Sequence, residues 1–265
     1  MAQVIAICNQ KGGVGKSTTA VNLGAYLALS GKRTLVADLD PQGNATISLG
    51  VDRSSLRVTI YSSLVDSIAL DQVIVKSVVE FLDVIPSTTE LSQAELKIAN
   101  HEGREYLLRD LCQPIQERYD FILLDCPPAL GLMTTNALVA AESVLIPVQC
   151  EYLALEGLNS LLKTVERIKT AFNPSLGVMG ILLTMADFRT SLSQEVAGEV
   201  KQFFKDLVLQ TSIPRNVRLA ESPSFGRPIC LYDPSSSGAV AYSNLAKELL
   251  SRVASKPIPM EQRVP

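Results

Sequence analysis

The chain alternates short, continuously apolar runs with longer stretches of mixed apolar and polar residues that read as helices. The apolar runs fall at 4–8, 34–37, 82–85, 121–124, 144–148 and 178–183, and none of them alternates between apolar and polar side chains. A strand with one wet face would alternate, so these runs predict buried parallel strands covered by helices on both faces. The helix-like stretches lie near 19–29, 88–99, 103–118, 134–141, 153–172, 190–206 and 238–254. Strand and helix in alternation predict an α/β fold, a doubly wound and mostly parallel sheet with right-handed crossovers. Ligands of such sheets bind beyond the carboxyl ends of the strands, and every motif discussed below falls at such an end. No internal repeat, low-complexity tract or interdomain linker breaks the pattern, so residues 1–255 read as one domain and the proline-rich 256–265 as a frayed tail. The last helix carries Leu245, Leu249, Leu250 and Val253 on one face. Core packing is the expected use of that stripe, since a membrane-binding helix would set basic residues and bulky aromatics opposite.

Composition narrows the class. At 265 residues, 47% hydrophobic and 19% charged, the chain suits one large globular domain and is far from disorder. No apolar run approaches the roughly 18 residues that span a bilayer. The chain opens directly on a strand, so no signal peptide is expected. Five cysteines, at 8, 112, 126, 150 and 230, form no C-x-x-C pair, and there is a single histidine, His101. These argue against zinc and for reduced thiols in a cytoplasm. A net charge of −3 means that any nucleic-acid binding must come from a local patch.

The run at 4–8 leads into Gln10-Lys11-Gly12-Gly13-Val14-Gly15-Lys16-Ser17-Thr18 and then into the helix-like stretch at 19–29. Strand, glycine-rich turn and helix form the context in which a phosphate-binding loop works. The glycines let the backbone fold tightly and aim N–H groups at phosphate oxygens, and the positive end of the helix adds to that field. Lys16 is placed to reach the β- and γ-phosphates and Ser17 to offer a hydroxyl to Mg²⁺. A simple surface turn rich in glycine and lysine accounts for neither the spacing of Gly15, Lys16 and Ser17 nor the flanking elements. In one respect the loop departs from G-x-x-x-x-G-K-[ST]: Gln10 stands where glycine is expected, and Lys11 adds a second cation.

The run at 34–37 continues into Asp38-Leu39-Asp40-Pro41-Gln42-Gly43-Asn44. Carboxylates two residues apart at a strand end point the same way, so both are expected to face the nucleotide. One would orient the attacking water or accept its proton, and the other would help hold Mg²⁺ through water, the two tasks of phosphoryl transfer. Alone, the segment reads as well as a turn shaped by Asp, Pro, Gly and Asn. Beside a phosphate loop the chemical reading is stronger. Asp125 closes 121–124 and precedes Cys126-Pro127-Pro128, the expected place for an acid bonded to a magnesium-bound water rather than a bare strand cap. The two prolines fix the exit from the strand and Gly131 leaves the next loop room to move, so 125–132 is expected to sense the γ-phosphate as a switch.

Together the three motifs resemble the ParA/MinD group of deviant Walker A ATPases, and within it the ParA/Soj-type chromosome and plasmid partition proteins. The likeness rests on K-G-G-V-G-K-S-T at 11–18, D-L-D-P-Q-G-N-A-T at 38–46 and D-C-P-P-A-L-G at 125–131. It continues through P-V-Q-C-E-Y at 147–152, L-E-G at 155–157 and I-P-R-N-V-R at 213–218. It covers nearly the whole chain and is weakest at 52–80 and after 255. The resemblance implies an ATP-sandwich homodimer in which Lys11 crosses to the phosphates bound by the other subunit. A cation contributed in trans offsets the triphosphate charge only when two subunits close, which makes dimerisation depend on ATP. By the same resemblance Lys11, Gly12, Gly13, Val14, Gly15, Lys16, Ser17 and Thr18 bind nucleotide, and Ser17, Asp40 and Asp125 serve Mg²⁺. Lys11, Lys16 and Asp40 serve hydrolysis, and Pro214 and Asn216 lie in an adenine-side loop. The guanine signature N-K-x-D is missing from Thr184-Met-Ala-Asp187, which is compatible with ATP.

The family binds double-stranded DNA without sequence preference through a basic surface formed across the dimer. Matching positions are Arg189 and Arg218, with Arg215, Arg227 and Lys201 as weaker candidates. Arginines set on phosphates give salt-sensitive binding without base readout, whereas each one read alone is a solvated charge or an ion-pair partner. The implied cycle is cytoplasmic and nucleoid-associated, with no membrane. ATP drives dimerisation, the dimer coats DNA, and a ParB/Spo0J-like partner stimulates slow hydrolysis to segregate or position cargo. Rival readings each lack a feature. A MinD-like membrane ATPase needs a basic amphipathic C-terminal helix, and an iron–sulfur carrier needs paired cysteines. A metabolic P-loop enzyme such as a dethiobiotin synthetase leaves Arg189 and Arg218 unexplained.

Overall fold

A computed structural model describes residues 1–151 and 154–254; the tail read at 256–265 lies outside the described residues. Each of the six apolar runs forms a strand, with limits within one residue of the expected ones: β1 Gln3–Ile7, β2 Thr34–Asp38, β4 Leu82–Ile85, β5 Phe121–Asp125, β6 Ser143–Gln149 and β7 Gly177–Thr184. A seventh, β3 Val75–Lys76, is only two residues long. The sheet order is β3-β4-β2-β5-β1-β6-β7, parallel except where β3 meets β4. From β1 the chain winds one way through β2 to β4, then returns to β5 and winds the other way through β6 and β7. The crevice where the direction reverses is the ligand side of such a sheet.

The helices are α1 Lys16–Leu29, α2 Asn44–Ser48, α3 Ile60–Val65, α4 Leu70–Val73, α5 Ala94–Ile98, α6 Leu107–Cys112, α7 Leu132–Ala140, α8 Ala154–Ala171, α9 Ser191–Phe204, α10 Val217–Glu221, α11 Ile229–Tyr232 and α12 Ser237–Ala254. Two expected helices come out in pieces. The stretch at 88–99 is a 3-10 turn followed by α5, and 103–118 is α6 between two 3-10 turns. Pro114 opens the second of those turns, because it has no N–H with which to continue the α-helical ladder.

Successive residues of a strand point to opposite faces, and the core divides accordingly. Val4 and Ala6 join a cluster that includes Leu138 of α7 and Leu161 of α8, whereas Ile5 and Ile7 join Leu23 of α1 and Tyr242 of α12. Leu245 and Leu249 are buried in that second cluster, with Leu250 and Val253 packed against it. The apolar stripe of the last helix is therefore core. No helix among the described residues is long and apolar enough to cross a membrane.

Candidate nucleotide site

The neighbourhood β2-β5-β1 brings three carboxyl ends together, with both Asp38 and Ile7 in register with Asp125. The loop after β1 is fastened from several sides. Asn9 Nδ2 donates to Pro147 O (2.7 Å), Asn9 Oδ1 accepts from Lys11 N–H (2.9 Å), and Thr184 Oγ1 donates to Val14 O (2.9 Å). Gln10, the unexpected residue, sends Nε2 to Gly157 O at 3.3 Å and ties the loop to α8. Gly13 (φ +74°) and Gly15 (φ +89°) hold left-handed backbone that a side chain would strain, and a Cβ on Gly13 would meet no heavy atom within 4 Å. Gly15 caps α1 with no side-chain bond, and no acid sits in that helix's first turn. The first N–H groups of α1 thus keep their field for an incoming anion.

Two lysines in this loop part company. Lys16 is 7% exposed and folds over the loop, its Nζ donating to Lys11 O at 3.2 Å. Lys11 reaches the other way and pairs with Glu151 Oε2 at 3.2 Å, with more than half its side chain exposed. Glu151 Oε1 in turn accepts from Gln149 Nε2. One cation serves the cradle, and the other points out of it.

The two carboxylates at the end of β2 and just past it also differ, which corrects the expectation that both face a nucleotide. Asp38 is fully buried and turned into its own loop. Its Oδ1 accepts from Asp40 N–H (3.2 Å), and its Oδ2 accepts from Thr46 N–H (2.8 Å) and Thr46 Oγ1 (2.7 Å). Asp40, 8% exposed, accepts from Gln42 N–H at Oδ1 (2.9 Å). Asp125 is fully buried, and neither of its oxygens has a hydrogen-bond partner. Burial and the charge of Asp38 push its carboxyl well above the usual range, offset in part by the Ser17 hydroxyl and Lys16. Burial likewise pushes Asp38 up to about 6 against the pull of the Thr46 and Asp40 bonds. An orphaned buried carboxyl beside a serine hydroxyl is a costly arrangement that a hydrated divalent cation would satisfy.

Beyond Asp125, Gly131 does not supply slack. A Cβ there would lie 2.6 Å from Glu95 Oε1, and that same oxygen accepts from Met133 N–H (3.0 Å) at the start of α7. The glycine admits Glu95, which pins the loop to α5. Past the end of β7, Pro214 bridges to Ala186, and Arg215 N–H donates to Ala186 O (3.3 Å). The side chain of Asn216 is already occupied: Oδ1 caps α10 through Leu219 N–H (3.3 Å), and Nδ2 donates to Ser237 Oγ (2.8 Å).

A family model described as an AAA domain matches residues 2–178. Over 249 residues the chain is 53% identical to the sporulation initiation inhibitor protein Soj of Bacillus subtilis, which covers 94% of this chain and 98% of that protein. It is 48% identical over 252 residues to the chromosome partitioning protein ParA of Myxococcus xanthus, covering 95% of this chain and 89% of that one. The chain belongs to the ParA/Soj family of partition ATPases. A solved structure from Mycobacterium smegmatis, named cobyrinic acid a,c-diamide synthase and holding ADP and magnesium, matches the fold of this ParA/Soj protein with a TM-score of 0.85. The two are 35% identical, with 98% of each chain covered.

Arg189 and Arg215 of this ParA/Soj protein lie on loops and Arg218 lies on a helix. Arg189 Nε and Nη2 both bond the Asp187 carboxylate (2.8 Å each), and Arg215 lies close enough for its charge to act on the same group. Arg218, on α10, pairs with Glu221 (3.0 Å) and Asp233 (3.4 Å). Arg227 and Lys201 are exposed elsewhere, before α11 and on α9. A separate cleft of about 870 Å³, lined by Phe188, Thr211, Lys247 and Glu248 among others, borders Pro214 but contains no phosphate-loop residue.

Proposed function

We propose that this chain is a DNA-partition ATPase whose ATP-bound homodimer holds DNA non-specifically and releases it on hydrolysis. The observation that carries the reading is the divergence of the two loop lysines. Lys16 covers its own cradle, whereas Lys11 projects from it and is free to be exchanged from Glu151 to a phosphate on a second subunit. In this reading the N–H groups of Gly12, Gly13, Val14 and Gly15 and the ammonium of Lys16 bind phosphates, with Thr18 beside them. Ser17, Asp40 and Asp125 would hold Mg²⁺, which would supply charge neutralisation to the phosphates. Asp40 orients the attacking water, and Pro214 with the backbone at Asn216 borders the adenine. A ParB/Spo0J-like partner then triggers hydrolysis.

DNA titrations with ATP, with ADP and without nucleotide test the proposal, with binding expected only with ATP. Arg189→Glu combined with Arg218→Glu should weaken that binding at least tenfold and reduce the log–log salt slope by about 2, while dimerisation persists. Unaltered DNA binding would refute the patch. Absence of ATP-dependent DNA binding in the unmodified protein would favour a metabolic role like that named for the M. smegmatis neighbour.

The raised carboxyls make a second prediction. Burial has lifted Asp38 to about 6 and holds the Asp125 carboxyl well above its usual range, so this buried pair takes up protons in mildly acid solution. A cation arriving beside them favours the ionised forms, so protons leave on binding and affinity for Mg·ATP falls as pH drops through 6. Calorimetry at pH 6 in two buffers of different ionisation enthalpy should report net proton release, and Asp125→Asn should reduce it. Identical release by both proteins would count against the assigned cation site.

A further inference from the structure

Thr46, at the third position of α2, makes no hydrogen bond to the phosphate loop or to Asp125, yet it is fully buried in a closed polar network. Its hydroxyl donates to Asp38 Oδ2 (2.7 Å) and accepts from Ser87 N–H (3.0 Å), while its own N–H also donates to Asp38 Oδ2 (2.8 Å). Asp38 and Ser87 are equally shut off from solvent. The other oxygen of Asp38 receives the N–H of Asp40 at 3.2 Å. One hydroxyl thus joins the end of β2, the start of α2 and the segment after β4, and it sets the orientation of the carboxylate on which the Asp40 backbone rests. The fit leaves little play, because a Cβ on Gly43 would lie 2.9 Å from Ser87 O.

We infer that Thr46 is a positioning residue for hydrolysis, acting through Asp38 to hold Asp40. The inference rests on the assignment of Asp40 to water orientation. A buried carboxylate satisfied by three donors has one preferred rotamer, and removing the hydroxyl takes away one of them and orphans the Ser87 N–H. The loop then relaxes, and Asp40 leaves the narrow geometry that in-line attack requires. Displacements of about 1 Å cost roughly 10²-fold in rate, so a partial shift predicts a loss on the order of tenfold or more. ATP binding draws on the separate loop after β1 and should not change.

The test is single-turnover hydrolysis, expressed per bound ATP so that only folded molecules count, together with ATP affinity by equilibrium titration. Thr46→Val keeps the volume and loses the hydroxyl; it should hydrolyse at least tenfold more slowly at unchanged affinity. Thr46→Ser keeps the hydroxyl and should restore the rate. Asp38→Asn, which leaves an oxygen for Asp40 but puts an amide against Thr46, should be slow like the valine variant and serves if that variant fails to fold. Wild-type rates in Thr46→Val or Asp38→Asn, a serine variant as slow as valine, or a rate loss in Thr46→Val matched by lost ATP affinity would overturn the inference. Asp40→Ala in the same assay separates the two levels. If it hydrolyses normally, the role of Asp40 itself is wrong; if it is slow while Thr46→Val is fast, only the positioning role fails.

Discussion

Lys16→Ala is expected to weaken ATP binding by roughly 10²–10³-fold. Lys16 sits at the first position of α1 and is almost fully buried, so its ammonium is already desolvated and held over the cradle by Lys11 O at 3.2 Å. A phosphate entering the cradle meets a cation that has no further ordering cost. Without it the phosphate negative charge would be buried against N–H dipoles alone, and leaving one member of a buried charge pair uncompensated costs about 3–5 kcal/mol. The fold should survive, since alanine is the best residue for a helix and the substitution removes a buried charge. Lys11 cannot stand in: it is directed away from the cradle and engaged with Glu151. Equilibrium titration with a fluorescent ATP analogue would give the answer, with Lys11→Ala as the contrasting arm that keeps monomer affinity. Unchanged ATP affinity in Lys16→Ala would sink the assignment of the phosphate loop.

The fold was largely legible because a doubly wound sheet writes itself in uniform apolar runs. A residue such as Leu123, in a central strand, is apolar for the same reason as its neighbours on either face, so length and the absence of alternation suffice. The stretch at 52–80 lacked that signature. There β3 is two residues long and bears Lys76, whose ammonium pairs with Asp83 at 2.8 Å, a blunted edge with no apolar run to betray it. The broken helices at 88–118 failed for a related reason, since helical composition persists through residues whose backbone turns into 3-10 geometry.

In the site, residue types were readable and partnerships were not. Spacing singled out Lys16, Asp40 and Asp125 as candidates. Nothing in D-L-D-P-Q-G-N-A-T says that the first acid faces inward to Thr46, because the deciding donors are a backbone N–H and a hydroxyl eight residues away. Strand alternation put both acids on one side but said nothing of the loop that folds back over Asp38. Glu95 was invisible for the same reason: its contact with Met133 N–H spans 38 residues, and only the missing Cβ of Gly131 hints that something must fit there. Asn216 shows the converse, a polar side chain whose bonds to Leu219 N–H and Ser237 no motif spacing foretells.

Asp40→Ala should still bind ATP, through the loop after β1 and with Ser17 and Asp125 left for the cation, and lose hydrolysis by about 10²-fold or more, the usual contribution of a positioned acid or base. The size of the effect follows from the division of labour between the two acids. Asp38 is consumed by three donors, and Asp125 lies a strand away among groups suited to the cation, so no neighbouring carboxylate can take over the water. The loop itself should persist, because Arg53 Nη1 still donates to Gln42 O (2.8 Å), Arg53 Nη2 to Pro41 O (3.5 Å), and Asp38 still holds the backbone N–H of residue 40. Only Gln42 N–H loses an acceptor, at a position with some access to water. If dimerisation requires bound ATP and hydrolysis ends it, a variant that binds but does not hydrolyse must accumulate as dimer. Gel filtration with ATP should therefore show Asp40→Ala at twice the monomer mass, where the unmodified protein shows a mixture that decays with time. A strictly monomeric elution with ATP bound would reject the coupling of hydrolysis to dimer release, and undiminished turnover would reject Asp40 as the residue that orients the water.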